Sequence, residues 1–72
     1  MPRFHFEIID GVKVPDPVGT VCRSQAQAKE LATAIATQIA IDLGTGAARK
    51  VVVLDEDGSK IHEAPVEEPD VT

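Results

Sequence analysis

The sequence predicts a small α+β domain, in which one amphipathic helix packs on one face of an antiparallel sheet. A long segment without Gly or Pro, Ser24–Leu43, has helical periodicity. Strand-like segments lie on both sides of it, and a turn sequence ending in Asp-Gly follows the first strand of each pair. The order is therefore strand–strand–helix–strand–strand. With 72 residues, we expect a single domain over residues 1–64 and a disordered, acidic, Pro-rich tail over residues 65–72.

The first two strands are predicted to form a hairpin. Arg3–Ile9 alternates with period two, which is typical of a half-buried strand. Its predicted inward residues are Phe4, Phe6 and Ile8. The pair Asp10-Gly11 then precedes Val12–Val14 and favours a turn in which both residues have positive φ. Pro15 and Pro17 end the second strand, because proline cannot donate to a sheet ladder.

The helix has start and stop signals as well as an apolar face. Ser24 is a favourable N-cap, Gln27 completes a capping box, and Gly44 can end the helix in the left-handed conformation. One face collects the apolar residues Ala28, Leu31, Ala32, Ile35, Ala36, Ile39 and Leu43. Ile41 lies on the opposite side.

The second strand pair follows a Gly44–Gly46 turn. Lys50–Leu54 is almost wholly apolar and is expected to lie centrally in the sheet. Asp55–Gly58 then forms a turn, and Ser59–Ala64 alternates with Ile61 pointing inward.

Charge and composition exclude several classes of function. The net charge is −5 and no basic cluster is longer than Arg49-Lys50, so nucleic acid is disfavoured as a direct ligand. No apolar run has the length of a membrane span and no signal peptide is recognisable, so we expect a cytoplasmic protein. Cys22 is the only cysteine, which excludes an intrachain disulfide.

The chain resembles a family of short bacterial proteins grouped as a domain of unknown function. The resemblance rests on the opening Met1–Phe6, the Asp10-Gly11 turn, the Asp16-x-x-Gly19 step, the alanine-rich helix and the hairpin around Asp55–Gly58. His5 departs from the pattern, in which an aromatic residue is common. The resemblance supports the predicted fold and implies no activity, cofactor or catalytic residue.

No residue pattern indicates catalysis or cofactor binding. Cys22 lies close to the helix start, but neither His5 nor His62 has a spacing that ties it to this thiol. The two histidines could be neighbours if the first and last strands were adjacent. The acidic turn at Asp55 lacks the spacing of an EF-hand, and Gly44–Gly46 is not a phosphate loop. We therefore predict a non-enzymatic protein with no catalytic, cofactor or metal site.

A single helix covers only one sheet face, so apolar residues on the other face lack an obvious place to pack. We expect Ile9, Val52, Leu54 and, on the helix, Ile41 to contribute to an interface. The leading hypothesis is an interaction module that forms a homodimer, or binds a protein partner, through the open sheet face or an edge strand. The alternative is an acidic inhibitor or antitoxin-like protein that masks a basic partner.

Overall fold

The computed structural model describes residues 2–43 and 49–66. It confirms the α+β fold, with one helix packed against a small antiparallel sheet. The elements in chain order are β1 (Arg3–Asp10), β2 (Val12–Val14), β3 (Thr20–Val21), α1 (Gln25–Leu43), β4 (Lys50–Leu54) and β5 (Lys60–Pro65). The short strand β3 is additional to the predicted order.

The sheet has the order β2-β1-β4-β5, and every pairing is antiparallel. β3 pairs with the start of β1, whereas β2 pairs with its end. β2 and β3 therefore form one interrupted edge of the sheet. Because β3 and β4 are both antiparallel to β1, they run parallel to each other on either side of it, and α1 connects them.

The two central strands supply most of the sheet's buried surface. Phe4 and Phe6 of β1 are buried, as their alternation predicts. In β4 all three valines are buried, Val52 included, which confirms the prediction of a central strand. A strand with neighbours on both sides has no backbone edge exposed to water, and its side chains are flanked by those of both neighbours.

The helix contacts β4 and β5 through small side chains. Its buried residues are all alanines at intervals of four: Ala28, Ala32, Ala36 and Ala40. Leu31, Ile35 and Ile39 are half-buried and pack beside this row. Leu43, which was expected on the buried face, is 65% exposed. The 19-residue helix is about 28 Å long, whereas five-residue β4 spans about 17 Å, so the helix is longer than the strand on which it packs.

The N-terminus of the helix carries the predicted capping contacts. The Ser24 hydroxyl accepts a hydrogen bond from Gln27 N at 3.2 Å, which confirms the N-cap. The Gln27 side-chain oxygen accepts a hydrogen bond from Arg23 N at 2.6 Å. In a capping box the donor would be the N–H of the N-cap residue Ser24, one residue later. Gly44–Gly46 lies outside the described residues.

The Asp10-Gly11 turn differs from the prediction. Only Gly11 has a positive φ, of 74°, and Asp10 is the last residue of β1. The expectation of two positive φ angles is wrong, because Asp10 keeps extended backbone and pairs with Val12.

The turn between β4 and β5 confirms the prediction for Asp55–Gly58. The Asp55 carboxylate accepts hydrogen bonds from Asp57 N and Ser59 N, both at 2.9 Å, and Gly58 has a φ of 85°. The acidic residues therefore shape the turn through backbone contacts.

The folded part continues past the boundary expected at residue 64. β5 includes Pro65, and Val66 is buried. The Val66 N–H donates to Arg49 O at 3.1 Å, which anchors this residue beside the start of β4. Residues 67–72 of the expected tail lie outside the described residues.

The alanine row predicts a steric response to a larger side chain. Ala32→Leu should lower the free energy of unfolding by about 1–3 kcal/mol, because Ala32 is fully buried and the helix would have to move off the sheet. Ala34→Leu, on an exposed helix position, is the matched control and should change stability by less than about 0.5 kcal/mol. Urea unfolding followed by circular dichroism measures both. Equal effects of the two substitutions would contradict close packing at Ala32.

Candidate interaction surface

The outer sheet face, opposite the helix, is charged and ion-paired. The register places Val52 directly between Glu7 and Glu63 on the neighbouring strands. Glu7 pairs with Lys13 at 3.3 Å, and Glu63 pairs with two lysines, Lys50 at 2.6 Å and Lys60 at 2.9 Å. Long charged side chains cover apolar neighbours with their methylene stems.

The expected uncovered apolar surface on this face is therefore absent. Val52 is 8% exposed, and Ile9 and Leu54 are half-buried. The register does place all three on the outer face, as predicted. Ile41, on the helix, is 65% exposed. A role for these four residues in an interface stays a prediction.

The ion pairs at Glu63 also set its protonation. The hydrogen bond from Lys50 and then that from Lys60 lower the pKa of the Glu63 carboxyl to about 2. The carboxylate therefore stays charged well below neutral pH and keeps both lysines in place. This end of the outer face is a stable polar surface.

The apolar surface lies instead along the β2–β3 edge. We define the edge segment as residues 12–21. All four of its valines are exposed: Val12 (70%), Val14 (49%), Val18 (70%) and Val21 (48%). No residue of the segment is buried. In a chain this small, four exposed β-branched apolar residues outside the core cluster are a prominent feature of the surface.

Polar contacts hold the edge segment to β1. The Asp16 carboxylate accepts hydrogen bonds from Phe6 N at 3.1 Å and Gly19 N at 3.0 Å. Phe6 lies between the β1 residues that pair with β2 and those that pair with β3. The carboxylate thus takes the place of an edge-strand carbonyl at the interruption.

Two β1 side chains complete this attachment. The Arg3 guanidinium donates to Val18 O at 2.9 Å, and His5 Nδ1 lies 2.6 Å from Asp16 O. Because a carbonyl oxygen only accepts, the His5 proton lies on Nδ1. Gly19 has a φ of 77°, and a Cβ there would lie 2.9 Å from Arg3 Cγ and from Phe4 O. Only glycine fits this close approach.

The environment of Asp16 favours its charged form. The N–H of Gly19 and then that of Phe6 lower the pKa of the Asp16 carboxyl below its usual value. Folding is thereby coupled to deprotonation of this group.

The opposite edge of the sheet carries features that discourage strand pairing. β5 contains Lys60 and ends in Pro65, both exposed, and its register with β4 shifts between Val53 and Leu54. Charges, proline and irregular register are the devices by which natural sheets protect their edges. The two edges therefore differ in character.

The histidines and the cysteine, which could have formed a catalytic or metal site, do not lie close together. β4 separates β1 from β5, so the histidines are not cross-strand neighbours: His5 is opposite Leu54, and His62 is opposite Val53. Cys22 is 2% exposed. Within residues 2–43 and 49–66, no group of three or more His, Cys, Asp or Glu side chains could hold a metal ion.

The edge segment is the part of the surface that sequence reasoning misses. Periodicity treats Val18–Arg23 as a connection, because a two-residue strand is too short to show an alternating pattern. The available signal is the Asp16-x-x-Gly19 step, whose carboxylate and left-handed glycine join the connection to β1.

Fold and surface together define a single-helix α+β domain with one polar sheet face and one apolar, interrupted edge. The chain belongs to a family described as a domain of unknown function, DUF6894, whose model matches residues 3–67. Searches of curated proteins and of solved structures find no significant match. Among the described residues, no helix combines the length and hydropathy needed to cross a membrane.

Removal of the Asp16 carboxylate should loosen the edge segment in a pH-dependent way. Asp16→Ala leaves two N–H groups without their acceptor and should cost about 1–3 kcal/mol near neutral pH. Since the folded-state pKa is depressed, the stabilisation exists above the unfolded pKa and is lost as pH falls through the folded one. The difference from wild type in urea unfolding should therefore shrink in acid. Asp57→Ala, on the exposed turn, is the control. A difference that did not vary with pH would contradict this role.

Proposed function

We propose that this chain is a small, non-enzymatic interaction module that self-associates through its edge segment. The observation that carries the proposal is the exposure of Val12, Val14, Val18 and Val21 along one sheet edge. Strand edges of this kind offer unpaired backbone groups together with apolar side chains, which is how sheets add a further strand.

The rest of the surface supports the choice of the β2–β3 edge over the other candidates. The outer face is occupied by ion pairs around Glu7 and Glu63, and β5 carries lysine and proline. Of the two kinds of surface that the sequence favours, the open face and an edge strand, the edge has the more exposed apolar side chains: Val12 and Val18 are 70% exposed, whereas Ile9 and Leu54 are half-buried. The proposal includes a cytoplasmic location in bacteria and no direct binding to nucleic acid or membrane. The acidic-inhibitor hypothesis stays a prediction.

Self-association should depend on the valines of β2. In the double variant Val12→Thr, Val14→Thr, the side chains keep their shape and β-branching but gain hydroxyl groups. Both valines are exposed, so the monomer should fold normally. We expect the dimer dissociation constant to rise by at least about tenfold, because contact through a hydroxyl is weaker than through a methyl group. Sedimentation equilibrium over a concentration series measures the change.

The control is Ile41→Thr, which changes an apolar helix residue that is 65% exposed and that the proposed edge contact does not include. It should leave the dissociation constant unchanged. A wild-type chain that stays monomeric at its highest soluble concentration would contradict the proposal. Loss of the dimer in the helix variant alone would move the interface to the outer side of α1.

A further inference from the structure

From the register of the edge segment, we infer how two copies meet: β2 of one protomer pairs with β3 of the other, and the reverse, about a two-fold axis level with Phe6. This inference rests on the proposed function and adds the geometry of its interface. An arrangement of this kind is isologous, since each copy uses the same surface, and it closes after two copies.

The spacing of the two strands along β1 carries the inference. Val14 is opposite Ile8 and Thr20 is opposite Phe4, so β2 ends, and β3 begins, two residues from the level of Phe6. A two-fold axis perpendicular to the sheet at Phe6 therefore brings β2 onto the partner's β3. Val14 is then opposite the partner's Thr20, and both lie on the helix side of the sheet. Lys13 is opposite the partner's Val21, and both lie on the outer side.

The other two-fold registers are less favourable. Pairing β2 directly with the partner's β2, centred on Lys13, places two like charges opposite each other, which is destabilising in an antiparallel pair. A register shifted by one residue would set side chains of opposite faces against each other. Registers centred on Val12 or Val14 leave both copies of β3 unpaired. Only the offset register pairs both strands in each copy.

Charge favours contact between copies at this segment. The whole chain has a net charge of −5, so two copies repel over most of their surface. The edge segment contains only Lys13 and Asp16 as ionisable residues, and the two charges cancel. The Asp16 carboxylate is already engaged by two backbone N–H groups. The segment is therefore a neutral, apolar stretch on an acidic molecule.

The loop at the interruption is bonded to side chains of the outer face of β1. Gly19 lies against the Arg3 and His5 side chains, which belong to the outer face, and these side chains bond to the carbonyls of Val18 and Asp16. These contacts hold the loop backbone to the outer face, while the Asp16 carboxylate stays on the line of the two strands and accepts from Phe6 N.

Disulfide trapping tests the register. The double variant Lys13→Cys, Val21→Cys places two thiols on opposing positions in the offset register, at a separation that suits a disulfide. Copper phenanthroline is the oxidant, which takes two electrons as the two thiols lose their protons and form the bond. Lys13 and Val21 are too far apart to cross-link within one chain, because they pair with Ile9 and Arg3, which are six residues apart on β1. We expect most of the chain to run as a covalent dimer on a non-reducing gel.

The single variants Lys13→Cys and Val21→Cys are the matched controls, and wild type controls for buried Cys22. Each should give at least about fivefold less covalent dimer than the double variant. A second pair, Val14→Cys with Thr20→Cys, should cross-link as well as the first. Efficient cross-linking of Lys13→Cys alone would overturn the offset register. A dimer that persists in light scattering while neither pair cross-links would overturn it too, but leave self-association intact. A chain that is monomeric in light scattering would overturn the proposed function itself.

Discussion

The close approach of the helix to the sheet is the constraint on which the rest of the structure depends. Four alanines at intervals of four residues form the buried row of α1 and contact β4 and β5. Methyl side chains allow the helix backbone to lie nearer the strands than leucines would. The helix-side valines of β4, Val51 and Val53, are fully covered as a result. Methyl groups are short, however, so this row covers little apolar area beyond the strands directly beneath it.

The small area that the alanine row covers explains why the two edges of the sheet differ. The larger helix residues Leu31, Ile35 and Ile39 are half-buried beside the alanine row and pack against the core, which includes Phe4 and Phe6 of β1. β2 and β3 make no extensive contact with α1. They are attached by backbone pairing and by the polar contacts of Asp16, His5 and Arg3 instead of by packing. Their valines consequently stay in contact with water.

Much of the fold follows from the sequence, because its periodic segments are long. The alternation of Arg3–Ile9, the apolar run at Lys50–Leu54 and the cap at Ser24 each have one dominant physical reading, and the structure confirms them. The surface was less accessible to such reasoning. The apolar residues Ile9, Val52 and Leu54 suggest an uncovered sheet face, yet glutamates and lysines on neighbouring strands shield that face. Such pairs depend on strand order, which periodicity does not contain. The edge at Thr20–Val21 is likewise formed by a register and not by a pattern.

We propose that residues 12–21 form a surface that a second copy of the chain completes. Hydrogen–deuterium exchange measured as a function of protein concentration tests it most directly. In the monomer, the edge segment has no strand paired with it on the side away from β1, so its amides should exchange quickly. Protection of this segment should rise with protein concentration, while protection of α1 and β4 stays constant. Exchange of the edge segment that is independent of concentration, or protection that rises in α1 instead, would contradict it.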